Sequence, residues 1–309
     1  MTTLLLSHPA SLEHVTPPGH PERAERIRAV HEVLAQARFA PLVRGEAPLG
    51  SLDRVTLCHH EEYVAELRHV APTSGLVYLD GDTSMSSGTW EAVMRGVGGA
   101  VAATDAVMSG QHQNAFVAIR PPGHHAEINK PMGFCFFDNA AIAARHAQRK
   151  YGIGRAAVVD FDVHHGNGTQ DIFWADKTVM YCSTHQMPLF PGTGASGERG
   201  EHDTIVNAPL ASEDGGVQFR AAFKSIILPQ LKKFAPELII ISAGFDAHYR
   251  DPLASLNLKA EDFRWVTQQL MEVADGSAGG RIVSVLEGGY DLQGLQESVA
   301  AHVGALMGG

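Results

Sequence analysis

Short apolar runs alternate along the chain with longer stretches whose apolar residues recur at three- or four-residue intervals. The short runs, at residues 3–6, 55–58, 115–119, 156–161, 179–183, 237–242 and 281–286, are predicted as strands. The periodic stretches predict helices over 21–39, 90–108, 139–150, 217–234, 260–274 and 292–307. The first opens with Pro21 and two glutamates and then places Ile27, Val30 and Leu34 on one face. The second repeats Val93, Val97 and Val101. Alternation of this kind defines an α/β fold, a parallel sheet covered by helices on both faces. No internal repeat, low-complexity tract or long linker interrupts it, so the expectation is one domain over residues 1–309.

The polar residues that break this pattern cluster where such a fold binds ligands, beyond the carboxyl ends of the strands. Strand 115–119 is followed by Arg120-Pro-Pro-Gly-His124-His125, and strand 156–161 runs into Asp160-Phe-Asp162-Val-His164-His-Gly-Asn167-Gly. After 237–242 comes Ala243-Gly-Phe-Asp246, and after 281–286 comes Glu287-Gly-Gly-Tyr290-Asp291. Four strands thus deliver acids, histidines and a tyrosine to one rim.

Composition narrows the chemistry. A formal charge of −10 argues against a nucleic-acid surface and suits a cationic substrate such as an acylated amine. The three cysteines, Cys58, Cys135 and Cys182, are too few and too scattered for a disulfide framework. The amino terminus lacks the basic segment and long apolar core of a signal peptide, and no apolar stretch approaches membrane-spanning length. The expectation is a soluble, cytoplasmic protein that meets neither nucleic acid nor membrane.

Asp162 and His164 alternate onto one side of an extended backbone and make a pair of ligands for a divalent metal. Asp246 is a natural third, leaving a coordination position open. This donor set suits Zn2+, with Fe2+ or Co2+ as alternatives. A metal-bound water has its pKa brought down to about 7, and a neighbouring imidazole of His124 or His125 can take its proton and later protonate a leaving amine. Tyr290, after two glycines, can reach a developing oxyanion. Gly133-Phe134 and Phe190-Pro-Gly-Thr-Gly194 are candidate walls for a narrow apolar slot. No phosphate loop, dinucleotide fingerprint or nucleophile elbow is present.

These motifs, together with Gly133-Phe-Cys-Phe-Phe-Asp-Asn and His20-Pro-Glu-Arg23, resemble in order and spacing the histone deacetylase superfamily over nearly the whole chain. The resemblance is to the bacterial class II-like branch, which includes histone deacetylase-like amidohydrolases and acetylpolyamine amidohydrolases. It implies a single arginase/deacetylase-like domain around a central eight-stranded parallel sheet flanked by helices on both faces. By the same matching, zinc is held by Asp162, His164 and Asp246. His125 is the general base and acid, His124 is its electrostatic partner bonded to Asp160, and Tyr290 polarises the acyl carbonyl.

The resemblance also implies a substrate tunnel of Gly133, Phe134, Phe190 and Leu253. Asp82 (or Asp80) becomes a rim acid that grips the substrate backbone, and Arg23 lies near an exit for the released acid. A K+ site uses Asp160, Asp162, His164, Ser183 and Thr184, with a second near Phe173, Asp176 and Val179. Asn167 stands where class I members carry an aspartate behind the second histidine, so His125 is expected to ionise less readily. The implied activity is removal of acetyl or another short acyl group from acyl-lysine. The alternatives are an acylated polyamine or other small amide, or an acyl-lysine binding module without turnover. Leu253 occupies the place of the gatekeeper glutamate in polyamine-specific members, although Glu127 or Asp82 could pair with a distal ammonium.

Overall fold

Residues 2–309 are described by a computed structural model. In its amino-terminal third, β1 (Thr3–Ser7), α1 (Ala10–Glu13) and α2 (Ala24–Leu34) precede β2 (Val43–Glu46), α3 (Leu52–Val55) and α4 (Glu61–Val70). A small hairpin, β3 (Leu76–Tyr78) and β4 (Ser84–Ser86), leads to α5 (Thr89–Met108), β5 (Asn114–Ala118), α6 (Asn139–Tyr151), β6 (Ala156–Asp160) and α7 (Asn167–Phe173). Next come β7 (Val179–Ser183), β8 (Ile205–Asn207), α8 (Gly216–Ala222), α9 (Leu228–Phe234), β9 (Leu238–Ala243), α10 (Ala260–Ser277), β10 (Ile282–Leu286) and α11 (Leu292–Leu306).

The main sheet has eight strands, all paired in parallel, in the order β2-β1-β5-β10-β9-β6-β7-β8. Side-chain alternation divides the core in two. Ala157, Val159, Ile239 and Ile241 pack with α2, α8, α9, α10 and α11, whereas Ala156, Val158, Leu238 and Ile240 pack with α4, α5, α6 and α7. No helix among the described residues is long and apolar enough to cross a membrane.

The helices begin and end on local chemistry. Asp138 caps α6 by accepting from Ala141 N at 2.8 Å, and Gly152 ends it with φ 68°. Asp291 caps α11 through Gly294 N. The expected helix over 217–234 is α8 and α9 joined by a π turn at Phe223–Ile227. Pro229 lacks an N–H and its ring crowds the carbonyl one turn earlier, which a wider turn relieves.

The strand expected at 55–58 is instead the end of α3 and a turn. Val55 and Cys58, three residues apart, are its buried positions, which is helical rather than strand spacing. The sheet's two edges were not predicted. β2 is Val-Arg-Gly-Glu, mostly exposed, and is held by backbone pairing to β1 rather than by apolar side chains.

Register positions the site. Asp160 lies level with Ser183 on one side and Ser242 on the other, and Leu286 lies level with Ala243. The segments leaving β6, β9 and β10 therefore start at one height, beside the segment leaving β5.

Candidate active site

Asp162, His164 and Asp246 each present a ligand atom within 4.8 Å of the others, and all three residues are buried. Backbone donors set the carboxylates. Asp246 Oδ1 accepts from Val163 N at 2.8 Å, leaving Oδ2 facing His164 Nδ1 at 3.0 Å. Asp162 Oδ2 accepts from Gly288 N at 2.8 Å, and its Oδ1 lies 3.2 Å from His164 Nδ1. Gly244 must be glycine, because a Cβ there would collide with the Asp162 carboxylate.

The electrostatics ask for a cation. Burial lowers His164, yet Asp162 and Asp246 overcome it and raise the imidazole to about 10. Burial and the Asp162 charge push Asp246 up to about 6. Two carboxylates and an imidazole converging in a water-poor cavity fit a hard or borderline divalent ion.

Both tandem histidines turn inward. His124 Nδ1 donates to Asp160 Oδ2 at 2.9 Å, and the Tyr181 hydroxyl donates to the same oxygen at 3.1 Å. Burial lowers His124, but the charges of Asp162 and Asp160 raise it well above the usual histidine range. His125 Nδ1 bonds Asn167 Oδ1 at 2.8 Å, while burial and then the His124 charge hold it well below that range. The two rings lie 4.0 Å apart, centroid to centroid.

Glu287 and Asp251 build the scaffold behind these groups, and no sequence motif announced either role. Glu287 Oε2 accepts from Gly123 N at 2.7 Å and His124 N at 3.2 Å, so the end of β10 holds the histidine loop. Burial pushes the Glu287 carboxyl up to about 8. Asp251 Oδ2 accepts from Tyr290 N at 2.7 Å and fixes the tyrosine turn.

Phe134 lies edge-on to Tyr290 at 5.9 Å and Phe190 edge-on to His125 at 5.2 Å, so the two phenylalanines flank the approach. Gly133 (φ 56°) and Phe134 (φ 70°) make a left-handed turn that brings Gly133 against the His125 ring, where a Cβ would clash. Leu253 lines an open cleft of about 860 Å³ that reaches Tyr290 from the side of Pro17–Arg28.

Asp82 is exposed on the turn between β3 and β4, where its Oδ1 accepts from the Thr83 hydroxyl and the Thr83 Oγ accepts from Phe134 N. Asp80 spends Oδ1 on the backbone N–H groups of Asp82 and Thr83. Around the residues expected to hold K+, Asp160 O accepts from Thr184 N and Ser183 Oγ bonds His185 Nδ1. The Thr184 hydroxyl is buried with no hydrogen-bond partner among the described residues. Near the second expected K+ site, Arg145 pairs with Asp176.

Arg23, expected near an exit for the released acid, lines the cleft that reaches Tyr290. It is exposed on the outer cleft, one residue before α2, whereas Arg26, one turn into the helix, is fully buried. Arg26 Nε donates to Gly289 O at 2.6 Å and Nη2 to Glu287 O. Glu22 anchors it at 3.1 Å and also receives both Nε and Nη2 of Arg120 at 2.6 Å.

Comparison with known proteins agrees with this architecture. Residues 20–306 match the histone deacetylase domain. The chain is 38% identical over 325 residues to chloroplastic histone deacetylase 14 of Arabidopsis thaliana, covering 99% of this chain and 77% of that one. It is 38% identical over 284 residues to the histone deacetylase-like amidohydrolase of Pseudomonas aeruginosa, covering 89% and 74% of the two chains. The crystal structure of the HDA15 HD domain superposes with a TM-score of 0.93 at 33% identity, covering 99% of this chain and 88% of that one. The chain belongs to the histone deacetylase family of hydrolases.

Proposed function

We propose that the protein is a divalent-metal-dependent deacylase that removes acetyl, or another short acyl group, from the side-chain amine of acyl-lysine. The observation that carries this reading is the meeting, in one buried pocket, of a two-carboxylate, one-imidazole ligand set with His125 and Tyr290. Asp162, His164 and Asp246 would hold the ion, which supplies carbonyl polarisation and a water of lowered pKa. Zinc suits the donors, with Fe2+ or Co2+ as alternatives.

The chain's own residues then divide the work. Phe134 and Phe190 flank the substrate's alkyl stem and exclude water. His125 Nε2 takes a proton from the attacking water while its Nδ1–H stays on Asn167, and the same nitrogen later protonates the leaving amine. His124, held by Asp160, contributes positive charge beside the developing oxyanion. Tyr290 donates its phenol proton as a hydrogen bond to that oxygen.

A second reading, a small acyl-amide or acylpolyamine hydrolase, draws support from the amidohydrolase of P. aeruginosa among the relatives. One matched panel separates the two: turnover of an acetyl-lysine peptide, longer acyl-lysines, acetylputrescine and acetylspermidine at fixed zinc, with a chelated control. Chelator-sensitive cleavage fastest on the peptide supports the deacylase reading. Faster cleavage of the polyamines selects the alternative. Binding of the peptide without cleavage, with zinc verified in place, would reduce the protein to an acyl-lysine binding module.

A further inference from the structure

The amide of Asn167 has an accepting end and a donating end, and only one way round serves a base at His125. With Oδ1 on His125 Nδ1, 2.8 Å away, the ring carries its proton on Nδ1 and leaves Nε2 open. Turned over, the amide would donate to Nδ1, moving the ring proton to Nε2 and closing the basic site.

What selects the productive orientation lies at the other end of the amide. Asn167 Nδ2 faces acceptors only: Glu127 Oε1 at 2.7 Å, Met132 Sδ at 3.2 Å and His125 O at 3.5 Å. The last two are a weak acceptor and a long contact, so Glu127 dominates. A flipped amide would set its carbonyl oxygen against the Glu127 carboxylate. Glu127 is itself held, its N–H donating to Lys130 O and its carbonyl accepting from His59 Nδ1 at 2.9 Å.

We propose that Glu127 is a positioning residue for catalysis, one that locks the Asn167 amide and through it the tautomer of His125. It touches neither the reacting atoms nor the metal ligands. The relay His125–Asn167–Glu127 sets a carboxylate behind the base at one remove, with a neutral amide between.

The proposal rests on the deacylase reading, and its test separates the two. In the zinc-loaded full chain, Glu127→Met is expected to lower kcat on an acetyl-lysine peptide about tenfold or more, with KM within about twofold. Asn167→Asp added to that variant should restore kcat to within about threefold of the parent, because a carboxylate accepts from Nδ1 whichever way it turns. Unchanged kcat in Glu127→Met, or equal loss in the single and double variants, overturns the proposal.

Should Glu127→Met not fold, Glu127→Gln takes its place, since a glutamine amide can either accept from Asn167 or donate to it and no longer fixes which way Asn167 turns. The same loss of kcat and the same rescue by Asn167→Asp are expected. Turnover equal to the parent overturns the proposal.

A readout without substrate is the ring ¹⁵N shift of His125, assigned by its loss in His125→Ala. The Nδ1–H tautomer is expected in the parent and a mixture in Glu127→Met, and an unchanged tautomer in the variant refutes the lock. If the parent cleaves no acyl amide, the functional reading fails while the tautomer measurement still decides the role of Glu127.

Discussion

The guanidinium of Arg26 lies over the ring of Tyr290, 4.8 Å from its centroid, while its Nε holds the carbonyl of Gly289, the residue before that tyrosine. A buried cation thus supports both the ring and the turn that presents it. Stacking and hydrogen bonding together leave the phenol little freedom, which suits the oxyanion-binding role proposed for it.

Removing that phenol oxygen should therefore act on turnover and not on folding. Tyr290→Phe is expected to lower kcat about 10²- to 10³-fold with KM little changed. His125→Ala is expected to lower it about 10²- to 10⁴-fold. Both are checked by steady-state kinetics at full zinc occupancy beside circular dichroism, and near-normal turnover by either variant contradicts its assigned role.

Glu22 carries the charge balance behind the tyrosine. It is fully buried and shared by Arg120, Arg26 and His14. Burial pushes its carboxyl up, but Arg120 and the bonds from His14 and Arg120 hold it well below the usual range. Glu22→Gln leaves two buried guanidinium groups without a counter-charge and should cost about 3–5 kcal/mol. The urea midpoint measures this, and a shift near zero would mean that water screens the cluster.

Gly244→Ala tests the metal site through its shape. The added methyl group meets the Asp162 carboxylate, so metal retention should weaken by about ten- to a hundredfold. Zinc content after dialysis against graded chelator reports this directly. Retention equal to the parent would show that Asp162 can move aside at no cost to binding.

Buried histidines set a limit on acid tolerance. Burial lowers His59 to about 4 and His302 to about 3, against about 6.5 in an unfolded chain. Between these values the unfolded chain binds protons that the folded one does not, so stability rises with pH there. The contribution is complete above pH ~6.5 and is lost on acidification towards pH ~4 and then ~3, on the order of 3–5 kcal/mol for each residue. Urea midpoints at stepped pH should fall across this window, and His302→Gln should fall less steeply. Identical slopes would clear His302.

The sequence exposed most of the site because its ligands follow apolar strands directly. Asp162 and His164 were legible from that position, Asp246 from its position together with their company, and β6, β7, β9 and β10 from their own apolar runs. The edge strand β2 was not, since pairing with β1 needs only backbone. That Arg26 rather than Arg23 is the buried arginine was not legible, because the start of α2 decides which side chain turns inward, and helix starts are the least certain part of a pattern. Glu287 reaches Gly123 across 164 residues, and Glu127 reaches Asn167 across 40. Such pairs have no local periodicity to betray them.

The strand order carries a consequence for how the protein is made. β9 and β10, last in the chain, lie between β5 and β6. Before they emerge, the strands available to pair form two sets of three, β2-β1-β5 and β6-β7-β8, and each set lacks the partner for its inner edge. The final strands are a keystone. They bring Asp246 and Tyr290 with them, so the proposed catalytic set becomes whole in the same step that joins the halves. A carboxy-terminal deletion would accordingly yield a bisected sheet rather than a shortened enzyme.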